Sequence, residues 1–339
     1  MKKIFTTTRL WAIAMMMLTA ATAGAIDNNT VEIVYNGTTA TVTIADNISS
    51  YVTCTSGTSS HVVLTQSTDF AGVDATIDNE DGEIIYSLSG TSADGEFYMT
   101  GAYKCTVELN GLTLTNTAGP AINVQNGKRV ALSAKKGTTN TLTDAPNETY
   151  NGCFHCKGHT KLKGKGTLNV IGNSKHAIYS KEYIEVKNLT LNITVAQKDA
   201  IHCKEYFLME SGTVNISSAT DDGIQVELGG LTATEATDAN HTDEDTGNFY
   251  MTGGTLAISG YNGKAVKTDG TISITGGTQK FDTTDVTENA IAGIENVTVS
   301  SLQDARYYDL QGRTTDAAKP GLKIVTDGKA NARKVMVTR

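Results

Sequence analysis

The feature that most constrains the fold of this chain is a regular repeat of about 23 residues. The pairs Ala177-Ile178, Ala200-Ile201 and Gly223-Ile224 follow one another at equal intervals. Ala265-Val266 comes after a longer interval, which places an insertion within that repeat. A fixed period of about 20 to 50 residues indicates stacked units, each of which buries its apolar face against its neighbours.

Each repeat contains three short segments of alternating polarity, such as GTLNV from Gly166, AIYS from Ala177 and YIEV from Tyr183. Because alternate side chains of a strand face opposite ways, equivalent inward positions should form files, a file being the residues at one place in successive repeats. We predict an all-β fold, a right-handed parallel β-helix with three strands and about 23 residues per coil and small β caps, since parallel crossovers are right-handed by default. The central inward file is Ile122, Phe154, Ile178, Ile201, Ile224 and Val266.

The period also indicates how the chain is divided. Residues 1–25 carry a basic start, an apolar run and an Ala-Gly-Ala end, which is the pattern of a secretory signal peptide. We expect an N-terminal β cap over 26–83, the β-helix over 84–292 and a C-terminal β-hairpin or sorting-like segment over 293–339. Asn36-Gly37 and Asp327-Gly328 are the expected hairpin turns.

Composition excludes several classes of function. The formal net charge is -8 and there is no basic block, so nucleic acid and anionic membrane surfaces are not expected partners. The apolar run of the leader is too short to span a bilayer comfortably, and we expect an exported protein with no membrane span. The five cysteines are an odd number, which does not suit a disulfide scaffold.

The motif Cys153-Phe154-His155-Cys156 has the spacing of a redox or zinc site. On a strand, residues three apart face opposite sides, so Cys156 should point inward and Cys153 outward. One metal ion could not readily take both thiolates. We therefore expect these cysteines to be small core residues rather than ligands.

The outward file of the middle strand is the first candidate for a binding surface. It contains polar and aromatic residues at steps of about 4.8 Å, a spacing that an extended polymer could follow. The alternative is an ordinary solvated face. The residues we select as ligand-binding candidates are His155, Tyr179, His202, Gln225 and Lys267.

Asp199, Asp221 and Asp222 occupy the turn before this strand in adjoining repeats. Stacked carboxylates repel one another unless a cation lies among them, and Ca²⁺ prefers such oxygen ligands. We therefore expect a calcium site here, the alternative being that Asp-Asp-Gly is simply good turn chemistry. In the insertion, Asp243, Glu244 and Asp245 either form a second weak cation site or keep a loop soluble.

Lys267 stands one repeat beyond Gln225, beside the predicted calcium site. A lysine near calcium can abstract the proton next to a uronate carboxylate while the metal stabilises the developing charge. This would make the protein a polysaccharide lyase. The outward file has no arginine to hold such a substrate, and the chain has no Ser/His/Asp or P-loop pattern.

The run from about Ile84 to Gly277, with ELNGLTLT, GPAINVQNGK, DAIHCKEYFLMESGTVNI and DDGIQ, resembles the secreted bacterial carbohydrate-binding β-helix family that is structurally similar to pectate lyases. The resemblance implies bound calcium and binding of cellulose or an acidic plant polysaccharide such as polygalacturonate. It assigns the acidic turn to Asp221 and Asp222, with Asp199 one coil earlier. The similar calcium-dependent lyases have a further acidic residue where this chain has Gln225, which weakens both the metal shell and the case for catalysis.

The tail YYDLQGR with PGLKIV and DGK is similar to the C-terminal segment of proteins that Gram-negative bacteria export by a C-terminal signal, although it is shorter. We expect a secreted or cell-surface protein that binds a polysaccharide with the help of Ca²⁺ and is not an enzyme. The alternatives are the lyase with Lys267 as base and a structural surface adhesin. The sequence does not specify the glycan or the oligomeric state.

Overall fold

A computed structural model describes residues 26–70, 83–228, 234, 244–281, 291–292, 306–309, 313–315, 321–326 and 332–337. The predicted signal peptide lies outside these residues, as do Asp243 and the predicted turn at Asp327-Gly328. The described part is nearly all β and contains no α-helix, only a short 3-10 turn at Asp46–Ile48. In these residues we find no apolar helix of the length that a membrane crossing requires.

The alternating segments of the sequence form short strands in the order in which the period places them. The first thirteen are β1 Thr30–Asn36, β2 Thr39–Ile44, β3 Val52–Cys54, β4 His61–Gln66, β5 Ile84–Ser92, β6 Glu96–Gly101, β7 Cys105–Thr115, β8 Ile122–Asn126, β9 Val130–Ala134, β10 Thr139–Thr143, β11 Gly152–Cys156, β12 Thr160–Gly164 and β13 Thr167–Gly172. They are followed by β14 His176–Ser180, β15 Ile184–Lys187, β16 Thr190–Ala196, β17 Ile201–Lys204, β18 Tyr206–Met209, β19 Thr213–Ile216, β20 Ile224–Glu227, β21 Asn248–Met251, β22 Thr255–Ile258, β23 Val266–Thr268, β24 Ile272–Ile274, β25 Thr278–Phe281, β26 Ile291–Ala292, β27 Arg306–Tyr308, β28 Gly321–Thr326 and β29 Ala332–Val337.

From β8 to β26 each strand pairs in parallel with the third strand along the chain, so each pairing joins one repeat to the next. A 10-stranded sheet runs β26-β23-β20-β17-β14-β11-β8-β6-β4-β3. A 16-stranded sheet has two arms, β24-β21-β18-β15-β12-β9 and β10-β13-β16-β19-β22-β25, which meet at β7. Three parallel ladders advancing by one repeat are consistent with a β-helix.

The long strand β7 joins the two arms because it bends in the middle. Cys105–Leu109 pairs with β9, and Thr113–Thr115 pairs with β10. Gly111 lies at the bend with a positive φ of 76°, a conformation that glycine adopts without a steric penalty. The Asn140 side chain accepts hydrogen bonds from the N–H groups of Gly111 and Leu112, each at 2.9 Å.

The predicted inward files are confirmed. Ile178 pairs with Ile201, Ile201 with Ile224, and Ile224 with Val266, and these residues are at most 1% exposed. Full burial of one such side chain contributes about 1.5 to 3 kcal/mol, so the stacking of repeats stabilises each of them. Two further files are in register with these: Leu168, Leu191, Val214 and Leu256 on one arm, and Ile184, Phe207, Phe249 and Ile272 on the other.

Antiparallel strand pairs occur near both ends of the described part of the chain. Strands β1 and β2 pair antiparallel about Asn36-Gly37, and β1 also adds in parallel to β5, where it covers the start of the 16-stranded sheet. Strands β28 and β29 pair antiparallel, with β27 on the other side of β28. An added strand of this kind protects a sheet edge from pairing with other chains.

One orientation in the CxxC motif was predicted wrongly. Cys153 does not face outward but belongs, like Cys156, to the buried core. It follows Gly152, which pairs with His176, so Cys153 stands level with the buried Ala177 at the start of the strand, where the flat-strand alternation does not hold. Burial raises the pKa of the Cys156 thiol to about 11, and that of Cys153 rises too, so neither is a reactive thiolate. All five cysteines are free.

Candidate functional site

The five predicted ligand-binding residues lie in one file on the outer face of the 10-stranded sheet. His155 pairs with Tyr179, and Tyr179 pairs with His202. The file continues through Gln225 to Lys267. The structure therefore brings together side chains from successive repeats that lie far apart in the sequence.

The first three members of the file form a stack of rings. The ring centroids of His155 and Tyr179 are 5.0 Å apart and those of Tyr179 and His202 are 5.5 Å apart, with interplanar angles of 12° and 20°. Tyr150 packs with its edge against His155 at 5.2 Å.

These rings are less accessible than a solvated outward face would be. His155 and Tyr179 are 9% exposed and His202 is 7% exposed. Burial, with a smaller contribution from the charge of Lys175, lowers the pKa of His155 to about 4, so its imidazole is neutral at pH 7. Gln225 and Lys267 remain partly exposed, which leaves that end of the file open to a ligand.

A cleft of about 400 Å³ lies at the other end of this face. Tyr98, which lines it, pairs with Val63 and with Asn123, the neighbour of His155 in the file. The cleft therefore continues the file of rings. The remaining lining includes His61, Glu96, Asn116, Asn147 and Tyr150.

Carboxylate, amide and aromatic side chains are the groups that hydrogen-bond and stack against sugars, and all three types line this cleft. The Nε2 atom of His61 lies 3.3 Å from Asp94 Oδ1, a contact that restrains the imidazole ring. Sequence reasoning missed the cleft because its residues come from β4, β6 and loops before the regular repeat. The alternation of EFYM, with Phe97 and Met99 inward and Tyr98 outward, was the available signal.

The three predicted calcium ligands are close together. Asp199, Asp221 and Asp222 each place a carboxylate oxygen within 4.8 Å of the other two. Asp199 and Asp222 are buried, whereas Asp221 is exposed. Burial raises the pKa of Asp222, and the N–H of Lys264 and the charge of Lys267 offset this only in part.

Backbone N–H groups bind one oxygen of Asp199 and one of Asp222, and charged or polar side chains lie beside the second oxygen of each. Asp199 Oδ1 accepts the N–H of Asp222 at 3.1 Å, and Asp222 Oδ1 accepts the N–H of Lys264 at 2.7 Å. Asp222 Oδ2 is buried and accepts no hydrogen bond, and its neighbour is the Lys267 ammonium at 3.3 Å. A buried oxygen of this kind together with the exposed Asp221 carboxylate fits a Ca²⁺ ion, which takes only oxygen ligands.

Gly263 leaves room for this cluster. A Cβ atom at this position would collide with Oδ1 of Asp222 and with Oδ1 of Asp221. The N–H of Gly263 also donates to the carbonyl of Asp221 at 2.9 Å, which fixes the turn.

Lys267 points to the cluster rather than away from it. Its Nζ lies 3.3 Å from Asp222 Oδ2, and the side chain is 43% exposed. Burial alone lowers the pKa of Lys267, but the charge of Asp222, and then of Asp221 and Asp199, more than offsets this and raises it. A general base needs the opposite shift, so this pairing does not favour the lyase hypothesis.

The sequence analysis did not predict that His176 and His202 would both contact Asp199. Nδ1 of His202 lies 3.0 Å and Nδ1 of His176 3.3 Å from Asp199 Oδ2. Burial raises the pKa of Asp199, but the hydrogen bond with His202 and the charge of His176 more than offset this and lower it. The signal was in the period, since His176, Asp199 and Asp222 occupy the same place in successive repeats.

The acidic group predicted in the insertion is only partly described. Glu244 is buried, and its Oε1 accepts hydrogen bonds from Asn248 Nδ2 at 2.9 Å, from the Tyr250 hydroxyl at 2.7 Å and from the Thr246 hydroxyl. It therefore acts as a structural acceptor at the start of β21. Asp245 has a raised pKa, mainly through burial, and Asp243 lies outside the described residues.

A second stack of rings, also missed from the sequence, lies along the arm that contains β12, β15 and β18. Tyr183 stacks on Tyr206 at 4.8 Å and packs against His159 at 4.5 Å. Beside it, Glu182 and Glu205 come from adjoining repeats, and burial followed by the nearby Glu205 raises the pKa of Glu182 to about 7. The repeated Glu-Tyr pairs at these two positions were the available signal.

The chain was compared with known proteins, structures and family models. A carbohydrate-binding domain-containing protein of Acetivibrio thermocellus is 26% identical over 112 residues, which cover 30% of this chain and 39% of that protein. The solved structure of a polysaccharide lyase-like protein from C. thermocellum, a gadolinium derivative, superposes with a TM-score of 0.50 at 20% identity, over 75% of this chain and 94% of the other. The family model described as "Carbohydrate-binding domain-containing protein" matches residues 71–331. The chain is therefore a member of this carbohydrate-binding family.

Proposed function

We propose that this chain is an exported, non-catalytic protein that binds a polysaccharide along the outer face of its 10-stranded sheet. The observation that carries the proposal is the alignment of three features on that face: the cleft at Tyr98, the ring stack centred on Tyr179, and the acidic cluster with Lys267. Parallel strands are about 4.8 Å apart, so the file offers contacts at regular steps to an extended chain.

We further propose that the sheets wind as a right-handed parallel β-helix with about 23 residues per coil. The register of the three ladders supports this winding, and the hand follows the rule for parallel crossovers. A rigid rod of this kind holds its outward side chains in a fixed row, which suits a repeating polymer.

Calcium is the proposed partner of the acidic cluster. Asp221 and Asp222 Oδ2 would hold it, with Asp199 as the third carboxylate. When bound, the ion would attract the carboxylates of an acidic polysaccharide such as polygalacturonate to a chain whose formal net charge is -8. Cellulose, being neutral, would instead depend on the cleft and the rings.

The test is binding to immobilised polygalacturonate and to cellulose, with Ca²⁺ and with EDTA. We expect the wild type to be retained on polygalacturonate in Ca²⁺ and released in EDTA, and we expect Tyr98→Ala not to be retained even in Ca²⁺. Asp221→Asn should behave in Ca²⁺ as the wild type does in EDTA. Glu210→Gln, which removes an exposed carboxylate next to β18 in the other sheet, is the charge-matched control and should bind normally.

Equal binding in Ca²⁺ and EDTA would refute the calcium part of the proposal. Absence of binding to every glycan tested, by a folded protein, would favour the structural adhesin instead. Release of unsaturated, ultraviolet-absorbing products from uronate polymers would favour the lyase.

The location of the protein is a separate proposal. We infer that residues 1–25 direct export, and that the segment from 293 onward takes part in delivery to the surface of a Gram-negative cell. N-terminal sequencing of the mature protein should begin at Ile26, and deletion of the C-terminal segment should leave the protein in the periplasm.

A further inference from the structure

We propose that His176, His202 and Asp199 form a binding site for a divalent transition-metal ion of the Zn²⁺ type, distinct from the calcium site. The two imidazoles come from adjoining repeats and direct their Nδ1 atoms to the same oxygen, Asp199 Oδ2. One ligand atom from each residue lies within 4.8 Å of the other two.

The distances fit a small ion. Nδ1 of His202 is 3.0 Å and Nδ1 of His176 is 3.3 Å from Asp199 Oδ2. Tetrahedral coordination with Zn–N and Zn–O bonds of about 2.0 to 2.1 Å separates neighbouring ligand atoms by about 3.3 Å. Two of the three separations therefore match those of neighbouring ligands around such an ion.

The hydrogen bonding of the two histidines is consistent with a cation at this point. His176 is 7% exposed, and its Nδ1 makes no hydrogen bond. His202 directs Nδ1 to Asp199 and Nε2 to Glu227 Oε2 at 3.4 Å, so both ring nitrogens face carboxylate oxygens. A neutral imidazole carries only one N–H and can serve only one of them.

A metal ion at Nδ1 resolves this conflict. His202 would then bind the ion through Nδ1 and donate its Nε2–H to Glu227, the carboxylate–histidine–metal arrangement that orients many ligands. Nitrogen ligands select Zn²⁺ or a neighbouring first-row ion over Ca²⁺, which takes oxygen. Three protein ligands leave a fourth position for water or for an oxygen of a bound sugar.

The site shares Asp199 with the calcium proposal but uses a different oxygen. Asp199 Oδ1 accepts the N–H of Asp222, whereas Oδ2 faces the imidazoles. Variants of the two histidines therefore test this inference, and Asp221→Asn tests the calcium site, so either can fail alone.

The experiment uses the full chain after chelator treatment, titrated with Zn²⁺ by calorimetry and with Co²⁺ by visible absorption, both in excess Ca²⁺. We expect one ion per chain and Co²⁺ bands of a low-coordinate site. His176→Gln and His202→Gln should each weaken binding by at least about 100-fold, and Glu227→Gln by about 10-fold, since loss of an outer partner costs about 10- to 100-fold. His61→Gln, another imidazole beside a carboxylate, should bind as the wild type does.

A measurement on the unaltered protein protects the test against variants that fail to fold. Cu²⁺ bound to the wild type should show electron paramagnetic coupling to two imidazole nitrogens. Three results would each overturn the proposal. The first is that none of these ions saturates the protein, and the second is that Cu²⁺ couples to fewer than two nitrogens. The third is that folded His176→Gln and His202→Gln proteins bind Zn²⁺ with full affinity, and in each case the three residues would form only a hydrogen-bonded network.

Discussion

The ammonium of Lys267 lies where a calcium ion would bind the acidic cluster. Replacing Lys267 with a neutral residue should therefore strengthen calcium binding. Its Nζ is 3.3 Å from Asp222 Oδ2, the buried oxygen that no hydrogen bond satisfies. An ion that binds this oxygen must either remain near the ammonium or displace it. In both cases Lys267 makes the free energy of calcium binding less favourable in the wild-type protein, and Lys267→Gln removes this effect.

The size of this cost can be bounded. Two unit charges about 4 Å apart interact by about 1 kcal/mol in water, so a divalent ion beside the ammonium is opposed by about 2 kcal/mol. Because the side chain is 43% exposed, it can instead swing into solvent and lose an ion pair worth about 0.2 to 1 kcal/mol. The protein takes the cheaper of these two routes, so the cost is at most about 1 kcal/mol, which corresponds to a roughly fivefold change in the dissociation constant.

We therefore expect Lys267→Gln to bind Ca²⁺ more tightly in calorimetric titrations, by up to about fivefold. Lys267→Arg retains the charge and should differ little from the wild type. Added salt should reduce the difference between Lys267→Gln and wild type, because exposed charges are screened. Equal or weaker calcium binding by Lys267→Gln would show that Asp222 Oδ2 is not a ligand, and the reasoning would fail.

Three further predictions concern the fold and the acidic cluster. Ile201→Ala leaves a void in the central file and should lower the free energy of unfolding by about 3 kcal/mol in denaturant titrations, and a change under about 1 kcal/mol would contradict the stacking of the repeats. The pKa of His155 is lowered to about 4 from 6.5, so its contribution to stability is present above pH 6.5 and lost as pH falls toward 4, by on the order of 3 kcal/mol. His155→Phe should lack this loss, and parallel stability curves for the two proteins would contradict it. Gly263→Ala should displace the carboxylate of Asp222 and weaken calcium binding while secondary structure stays intact, so unchanged affinity would count against the site.

The files of the fold could be predicted from the sequence because the period is regular where they run. Once Ile178, Ile201 and Ile224 are aligned, alternation fixes which neighbours point inward, and the strand pairing agrees. The same alignment placed Tyr179 beside His202 on the outer face. In a repeated sheet the pairing register follows from the alternation and spacing of residues within each repeat. The residue types and their spacing are therefore enough to predict which residues pair.

Accessibility and the cleft could not be predicted in this way. The ring stack is covered in part by Tyr150, which comes from the irregular segment between β10 and β11, and no period describes where that segment folds. The cleft combines His61 and Tyr98 with such segments for the same reason. The orientation of Lys267 toward Asp222 depends on electrostatic attraction between side chains, which spacing alone does not reveal.

The turn residues Asp199 and Asp222 have two roles, since each carboxylate both stabilises a turn and faces a candidate cation site. The choice of substitution therefore decides whether an experiment reports on cation binding or on stability. Asp199 Oδ1 binds the N–H of Asp222, and Asp222 Oδ1 binds the N–H of Lys264, so each carboxylate fastens the turn of the following repeat. The second oxygen of each is directed to a histidine pair or to Lys267. Truncation to alanine removes the fastening bond together with the charge, and an unsatisfied buried N–H costs about 1 to 3 kcal/mol. Asparagine keeps one oxygen acceptor for the fastening bond and replaces the charged second oxygen with an NH2 group, so amide variants, not alanine variants, separate cation binding from the stability of the repeat.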